Sequence, residues 1–141
     1  MGEKMKWDFY EAKEFIIRAQ NKPGVLYHIS SILGDAGINI ESITAFAPND
    51  KEAIFRIITN DEISTKKVLS RAAIPIKYEE NSIYVVNLDN KPGELAKISE
   101  VIYKNGINLN AIYVLSAGKK TQLAINSDDN EKLKNVLEGK V

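Results

Sequence analysis

The stretch Asn21-Lys22-Pro23-Gly24-Val25-Leu26-Tyr27-His28-Ile29-Ser30, closing with Gly37-Ile38-Asn39-Ile40, occurs a second time in altered form. Its counterpart is Asn90-Lys91-Pro92-Gly93-Glu94-Leu95-Ala96-Lys97-Ile98-Ser99, closing with Gly106-Ile107-Asn108-Leu109. One shift of 69 positions, Asn21 onto Asn90, superposes the two without a gap. A gapless recurrence through loop, helix and following strand marks an internal duplication, which a short motif alone would not. The chain therefore reads as two units of about 70 residues each. A unit that small buries only about 60% of the surface its unfolded chain exposes. We therefore expect the two units to pack together, and to pack with a second copy of the chain as a homo-oligomer, most simply a dimer.

Working outward, Phe15, Ile17 and Ala19 alternate with Ile16, Arg18 and Gln20, which predicts a strand over 15–20. Pro23 and Gly24 break it, because proline fixes φ and glycine relieves side-chain crowding. Leu26, Ile29, Ile32, Leu33 and Ala36 follow at helical spacing, and Gly37 is a glycine stop for that helix. Strands are expected over 38–46 and 53–59 about a Pro48-Asn49-Asp50-Lys51 turn. A second helix carries Val68, Leu69 and Ala72, with Asp61 or Ser64 as its cap. Pro75 leads into a short strand over 76–78, and Glu79-Glu80-Asn81 reads as a linker. The order then repeats: a strand over 83–88, the loop, a helix stopped at Gly106, strands over 107–116 and 121–126, and a last helix capped by Asp128 or Asp129.

Each unit thus reads β-α-β-β-α-β, the ferredoxin-like order of the α+β class, an antiparallel sheet with two helices on one face. The expected domains are 13–79 and 82–141, and the second lacks its final strand. A missing strand leaves an unpaired sheet edge. Residues 6–10 either fill that edge, in the same chain or a partner's, or form a capping helix. Residues 1–4 read as an added or frayed end.

Hydrophobic residues make up 44% of the chain and charged residues 27%, the balance of a soluble globular protein. Net charge is zero, which argues against nucleic acid or a membrane surface as partner. No apolar run approaches the ~20 residues of a membrane span, and the start of the chain lacks a signal-peptide core. Cysteine is absent and histidine occurs once, so no disulfide, thiol chemistry or transition-metal site is expected; a cytoplasmic location follows as the default. Gly118-Lys119-Lys120-Thr121 lacks the first glycine of a phosphate loop and stands between strands, so it reads as a hairpin turn. No serine or threonine has an evident histidine partner. The expectation is no catalytic residues and no cofactor.

A strand, then Asn-x-Pro-Gly-x-Leu, then a helix, then Gly-Ile-Asn opening a strand resembles the ACT domain, and the resemblance covers residues 13 to 79 and again 82 to 139. It implies a small ferredoxin-like module that binds an amino acid and regulates metabolic enzymes. The implied ligand site lies at the loop between first strand and first helix, commonly between two modules paired edge to edge. The residues it points to are Asn21, Pro23, Gly24, Val25, Leu26 and Asn39 in one unit. In the other they are Asn90, Pro92, Gly93, Glu94, Leu95 and Asn108.

Physical chemistry supports the same loop. A helix opening after Pro-Gly presents unpaired N–H groups and a dipole that favours an anion such as a ligand carboxylate. Gly24 and Gly93 permit close approach to the backbone. Asn21 and Asn90 carry both a donor and an acceptor for an amino acid, and Asn39 and Asn108 open the returning strand and are expected to reach the same ligand. Serine-binding members of the family carry a histidine two residues before the loop asparagine; Ala19 and Leu88 stand there instead, which puts serine in doubt and suggests a more apolar wall. Against these readings, each asparagine can simply satisfy its own turn. His28 and Tyr27 are more ordinary as exposed or packing groups. Asn39-Ile40-Glu41-Ser42-Ile43-Thr44 also resembles the regulatory small subunit of acetohydroxyacid synthase, although that family has a divergent second domain. A small enzyme on this fold and a ligand-free dimerisation module complete the alternatives.

Overall fold

A computed structural model of the chain describes residues 5–140; the expectation for residues 1–4 lies outside them. The elements are β1 (Asp8–Gln20), α1 (Val25–Asp35), β2 (Ile40–Phe46), β3 (Glu52–Thr59), α2 (Glu62–Ser70), β4 (Lys77–Asp89), α3 (Glu94–Lys104), β5 (Leu109–Ala117), β6 (Lys120–Ser127) and α4 (Asn130–Leu137). They form two compact units. The first is Lys13–Asn81; the second joins the segment ending at Ala12 to the chain from Ser82 onward.

In the first unit the strand order is β2-β3-β1-β4. Antiparallel pairing sets Phe15 opposite Ile57 and Ala19 opposite Ala53 between β1 and β3, and Phe46 opposite Ile54 between β2 and β3. Because side chains alternate along a strand, Phe15, Ile17, Ala53, Phe55 and Ile57 share one face. That face packs against Ile29 and Leu33 of α1 and Leu69 of α2 in a single cluster, so both helices lie on it. The helix spacing of Ile29 and Leu33 presents one apolar stripe to the sheet. Ile38 belongs to this core although it lies outside β2, which starts two residues later than the alternation suggested.

The second unit has the order β1-β4-β6-β5, using the first part of β1 and the later part of β4. Tyr84, Val86 and Leu88 of β4, Leu123 and Ile125 of β6, Ile98 and Ile102 of α3 and Leu133, Val136 and Leu137 of α4 make its core. Residues 8–12 are strand, not a capping helix. Trp7 and Phe9 pack on this core, and the Phe9 ring meets Tyr84 edge-on at 5.6 Å. The Trp7 N–H donates to Leu137 O at 3.0 Å, and Asn87 Nδ2 donates to Asp8 Oδ2 at 3.1 Å. Numbered along the chain, the first unit has the 4-1-3-2 order of a ferredoxin-like sheet, and the second has the same order once the β1 segment, which comes first in the chain, is counted as its fourth strand.

Two expectations are corrected. Strand β1 begins at Asp8, seven residues before the clear alternation at Phe15, because Trp7, Phe9 and Ala12 give a different and weaker pattern. Glu79-Glu80-Asn81 is not a linker. It lies inside β4, which continues unbroken from Lys77 to Asp89. A polar run looks like a break in sequence, but hydrogen-bonded strand backbone tolerates polar side chains wherever a face is solvated. At the helix starts, Asp61 caps α2 by accepting from the Ser64 N–H, and Asp129 caps α4 by accepting from the Lys132 N–H. No helix of the described residues is long and apolar enough to cross a membrane.

Candidate functional site

The β1–α1 loop owes its shape to glycine. Gly24 has φ 91° and Gly93 has φ 87°, each the N-terminal residue of its helix boundary. This is the left-handed region, which a side chain makes costly by roughly 1–2 kcal/mol. A Cβ on Gly24 would sit an unstrained 3.7 Å from His28 Nε2, and one on Gly93 would meet nothing within 4 Å. Backbone conformation, and not crowding, is therefore what demands glycine. Neither helix has a side-chain cap, and glycine supplies none, so the first N–H groups of α1 face outward without a capping side chain; in α3 the Glu94 N–H turns back to Lys91 O at 3.4 Å.

Beside the first of these loops is a cavity of about 400 Å³. Its walls are Ala19 and Gln20 at the end of β1, Lys22, Pro23, Val25 and His28 around the start of α1, and Ile74, Pro75 and Ile76 from the connection between α2 and β4. The walls are mostly apolar, with an amide, an ammonium and an imidazole among them. That mixture of apolar surface with few polar groups is the usual character of a small-molecule pocket. No carboxylate lies among the lining residues.

Of the sequence-predicted residues, Pro23 and Val25 line the cavity, and Gly24 sits between them. Asn21 lies at the same end of the unit, its backbone N–H donating to Lys51 O at 2.9 Å. Leu26 is exposed on the first turn of α1. Asn39 is elsewhere. Its N–H donates to Asn60 Oδ1 at 3.0 Å, and its carbonyl accepts from the Asn60 N–H at 3.1 Å. Asn21 thus stands at the Glu52 end of β3 and Asn39 at the Thr59 end, about 23 Å apart at ~3.3 Å per residue. Within one unit they do not meet a common small ligand, contrary to the sequence expectation. The reason is that α1 runs the length of the sheet between them, so residues flanking its two ends are carried to opposite ends of the unit.

The second unit repeats this layout with different chemistry. Asn90 Nδ2 donates to Gly118 O at 2.7 Å, tying its loop to the β5–β6 hairpin. Asn108 donates its N–H to Asp128 Oδ1 at 3.2 Å, at the far end of β6. Glu94, in the position of Val25, pairs with Lys97 at 3.1 Å and Lys91 at 3.8 Å. Asp89, in the position of Gln20, pairs with Lys120. The hydrogen bond from Lys120, and then its charge, hold the Asp89 carboxyl below the ordinary range. Pro92 and Gly93 shape the loop, and Leu95 is exposed on the first turn of α3.

Sequence reading passed over Lys22, Gln20 and the Ile74-Pro75-Ile76 wall, and treated His28 as an ordinary surface group. The visible signals were two apolar residues flanking a proline after a helix, and a lone histidine one turn after the loop. Tyr27 does not line the cavity. It is exposed, with its ring 5.5 Å from that of His28. Among the described residues no group of three or more His, Asp or Glu side chains is placed to hold a metal ion.

Known proteins agree with this architecture. A protein of Bacteroides thetaiotaomicron, BT0572, superposes with TM-score 0.83 over 92% of this chain and 88% of its own, at 23% identity. The regulatory subunit of aspartate kinase from Thermus thermophilus gives TM-score 0.62, 16% identity, and coverage of 98% and 99%. Aspartokinase alpha and beta subunits give 0.63, 20% identity, and coverage of 95% and 93%. At these identities the likeness is one of fold. A guanylate kinase of Mycoplasma mycoides is 36% identical over 72 residues, 49% of this chain, and the chain spans only 24% of that protein's length. The profile of the ACT domain pair matches residues 12–140. This chain belongs to the ACT domain pair family.

Proposed function

We propose that this is a regulatory, non-catalytic protein that senses a free amino acid through two modules, residues 13–79 and 82–141, and transmits occupancy to a metabolic enzyme in the cytoplasm. The observation that carries the reading is the cavity beside the uncapped start of α1, where apolar walls stand together with the Lys22 ammonium and the His28 imidazole. The amino-acid carboxylate lies toward the N–H groups of Val25 and Leu26, favoured by the helix dipole. Asn21 offers its amide to the ligand, and Pro23 and Gly24 hold the loop open. Asn90, Pro92, Gly93, Glu94 and Leu95 are the equivalent positions of the second module. Asn39 and Asn108 stand at the opposite ends of their modules, outside this site. Occupancy becomes a signal by linkage: a ligand that binds one packing of the protein more tightly favours that packing. That several proteins of this fold are regulatory subunits of aspartate kinase supports an enzyme as the partner.

The test is thermal unfolding against each of the twenty amino acids at millimolar concentration. A ligand at about 100 times its dissociation constant stabilises by ~2.7 kcal/mol. We expect a selective upward shift in Tm that Asn21→Ala reduces. No shift with any amino acid would remove the sensing role.

A further inference from the structure

The two loops are close copies in backbone and differ in the acids they carry: Gln20 and Val25 in the first stand where the second has Asp89 and Glu94. In the first, Lys22 and His28 face a cavity whose other walls, Ala19, Val25, Ile74 and Ile76 among them, carry no charge. In the second, the 69-residue shift places Lys91 and Lys97 at the positions of Lys22 and His28. It also places Glu94 where Val25 stands. The Glu94 carboxylate, with only 15% of its side chain exposed, is paired to both of those lysines. Asp89, where Gln20 stands, is paired to Lys120. The second loop therefore holds each of its lysines against a carboxylate of its own, whereas no acid stands among the walls of the first cavity to pair with Lys22.

Resting on the sensing role above, we propose that the first-unit cavity binds an aliphatic carboxylate, an amino acid or its 2-oxo acid, and that the chain takes one such ligand, not two. The alkyl chain lies against Ala19, Val25, Ile74 and Ile76, and the carboxylate lies toward Lys22 and His28. The Ile74-Pro75-Ile76 connection makes this a cavity within one unit, closed by a segment that follows α2. Specificity against cationic ligands follows from the like charge of Lys22. Specificity against small polar ligands follows from the apolar walls, whose burial by an alkyl group is favourable.

Titration calorimetry on the full chain tests this with L-valine, L-leucine, L-isoleucine and 4-methyl-2-oxopentanoate as probes, and with L-serine and L-lysine as controls. We expect one site per chain for an aliphatic probe. Lys22→Glu, a change at an exposed position, should weaken it at least tenfold. Val25→Glu copies the second loop into the first. It places an acid at the start of α1, where the dipole favours it, but removes a side chain that packs on the core of the unit, so Tm should fall modestly while the folded protein loses binding at least tenfold. Lys91→Glu should leave binding unchanged. Two sites per chain, or unchanged affinity in both Lys22→Glu and Val25→Glu, would overturn the proposal. So would no binding of any aliphatic probe up to about 10 mM. If serine or lysine raises Tm while the aliphatic probes do not bind, this inference fails and amino-acid sensing stands. If only the oxo acid binds, the cavity assignment stands and amino-acid sensing fails.

Discussion

Glu14 and Arg56 meet inside the first unit, Arg56 Nη1 lying 2.7 Å from Glu14 Oε1, with the Glu14 side chain fully buried and that of Arg56 14% exposed. Both sit on the sheet face turned away from the helices, where Ile16, Ile54 and Ile58 are also buried. Two charges taken out of water are costly, and their attraction repays the cost only while both are present. Arg56→Met should therefore lower stability by roughly 3–5 kcal/mol. The double variant Glu14→Leu/Arg56→Met should recover most of that loss. Urea unfolding of the three proteins checks it; a double variant no better than Arg56→Met would show that the pair is not the unit that matters.

Glycines in and beside α1 should respond with opposite signs. Gly24→Ala forces a side chain into the left-handed region and should cost about 1–2 kcal/mol, with a similar cost for Gly93→Ala. Gly34 lies within α1 and has ordinary φ, and a Cβ there would meet nothing within 4 Å. Gly34→Ala should stabilise by about 0.5–1 kcal/mol. Midpoints of thermal unfolding for the three variants decide the matter; a stabilising Gly24→Ala would remove the conformational argument for the loop.

Trp7 is the sole tryptophan, and it packs on the core of the second unit. Its fluorescence should therefore report unfolding of that unit. Deletion of residues 1–12 takes away a strand together with Trp7 and Phe9, and Trp7→Ala alone should cost about 2 kcal/mol, below the 3–5 of a fully buried aromatic. Native-state hydrogen exchange should show protection lost first along β4 and α4. Unchanged protection there would mean that residues 8–12 contribute little to the sheet.

Acid should weaken α2 through its cap. The hydrogen bonds from the Ser64 N–H and hydroxyl hold the Asp61 carboxyl below its ordinary value near 3.8. The folded state then binds the proton less readily than the unfolded state. The contribution is thus complete above the unfolded value and is lost as pH falls through the lowered folded value. Asp61→Asn should cost stability at pH 7, and the gap to the parent protein should narrow as pH drops below about 3.8. A gap constant from pH 7 to pH 2 would show that the charge on Asp61 has no part in capping.

Much of the fold was legible in local pattern. The 69-residue repeat, the alternation of Phe15, Ile17 and Ala19, the helical spacing of Ile29 and Leu33 and the glycine stop at Gly37 each record a constraint that acts within a few residues. Aspartate caps could be narrowed to pairs but not resolved, because Asp128 and Asp129 differ only in which N–H each faces.

What the sequence by itself determined was the duplication, the ferredoxin-like order of each unit and the glycine-dependent loop at the head of α1. Tertiary structure alone decided that residues 8–12 serve the second unit, since a strand's partner is chosen by cross-strand packing of Phe9 on Tyr84 and not by its own pattern. It alone set Asn21 and Asn39 at opposite ends of α1, a separation that near-adjacency in a motif conceals. It alone brought Ile74, Pro75 and Ile76 to the loop at Lys22, some fifty residues away, because the return of the chain after α2 to the edge of β1 is what closes a cavity there.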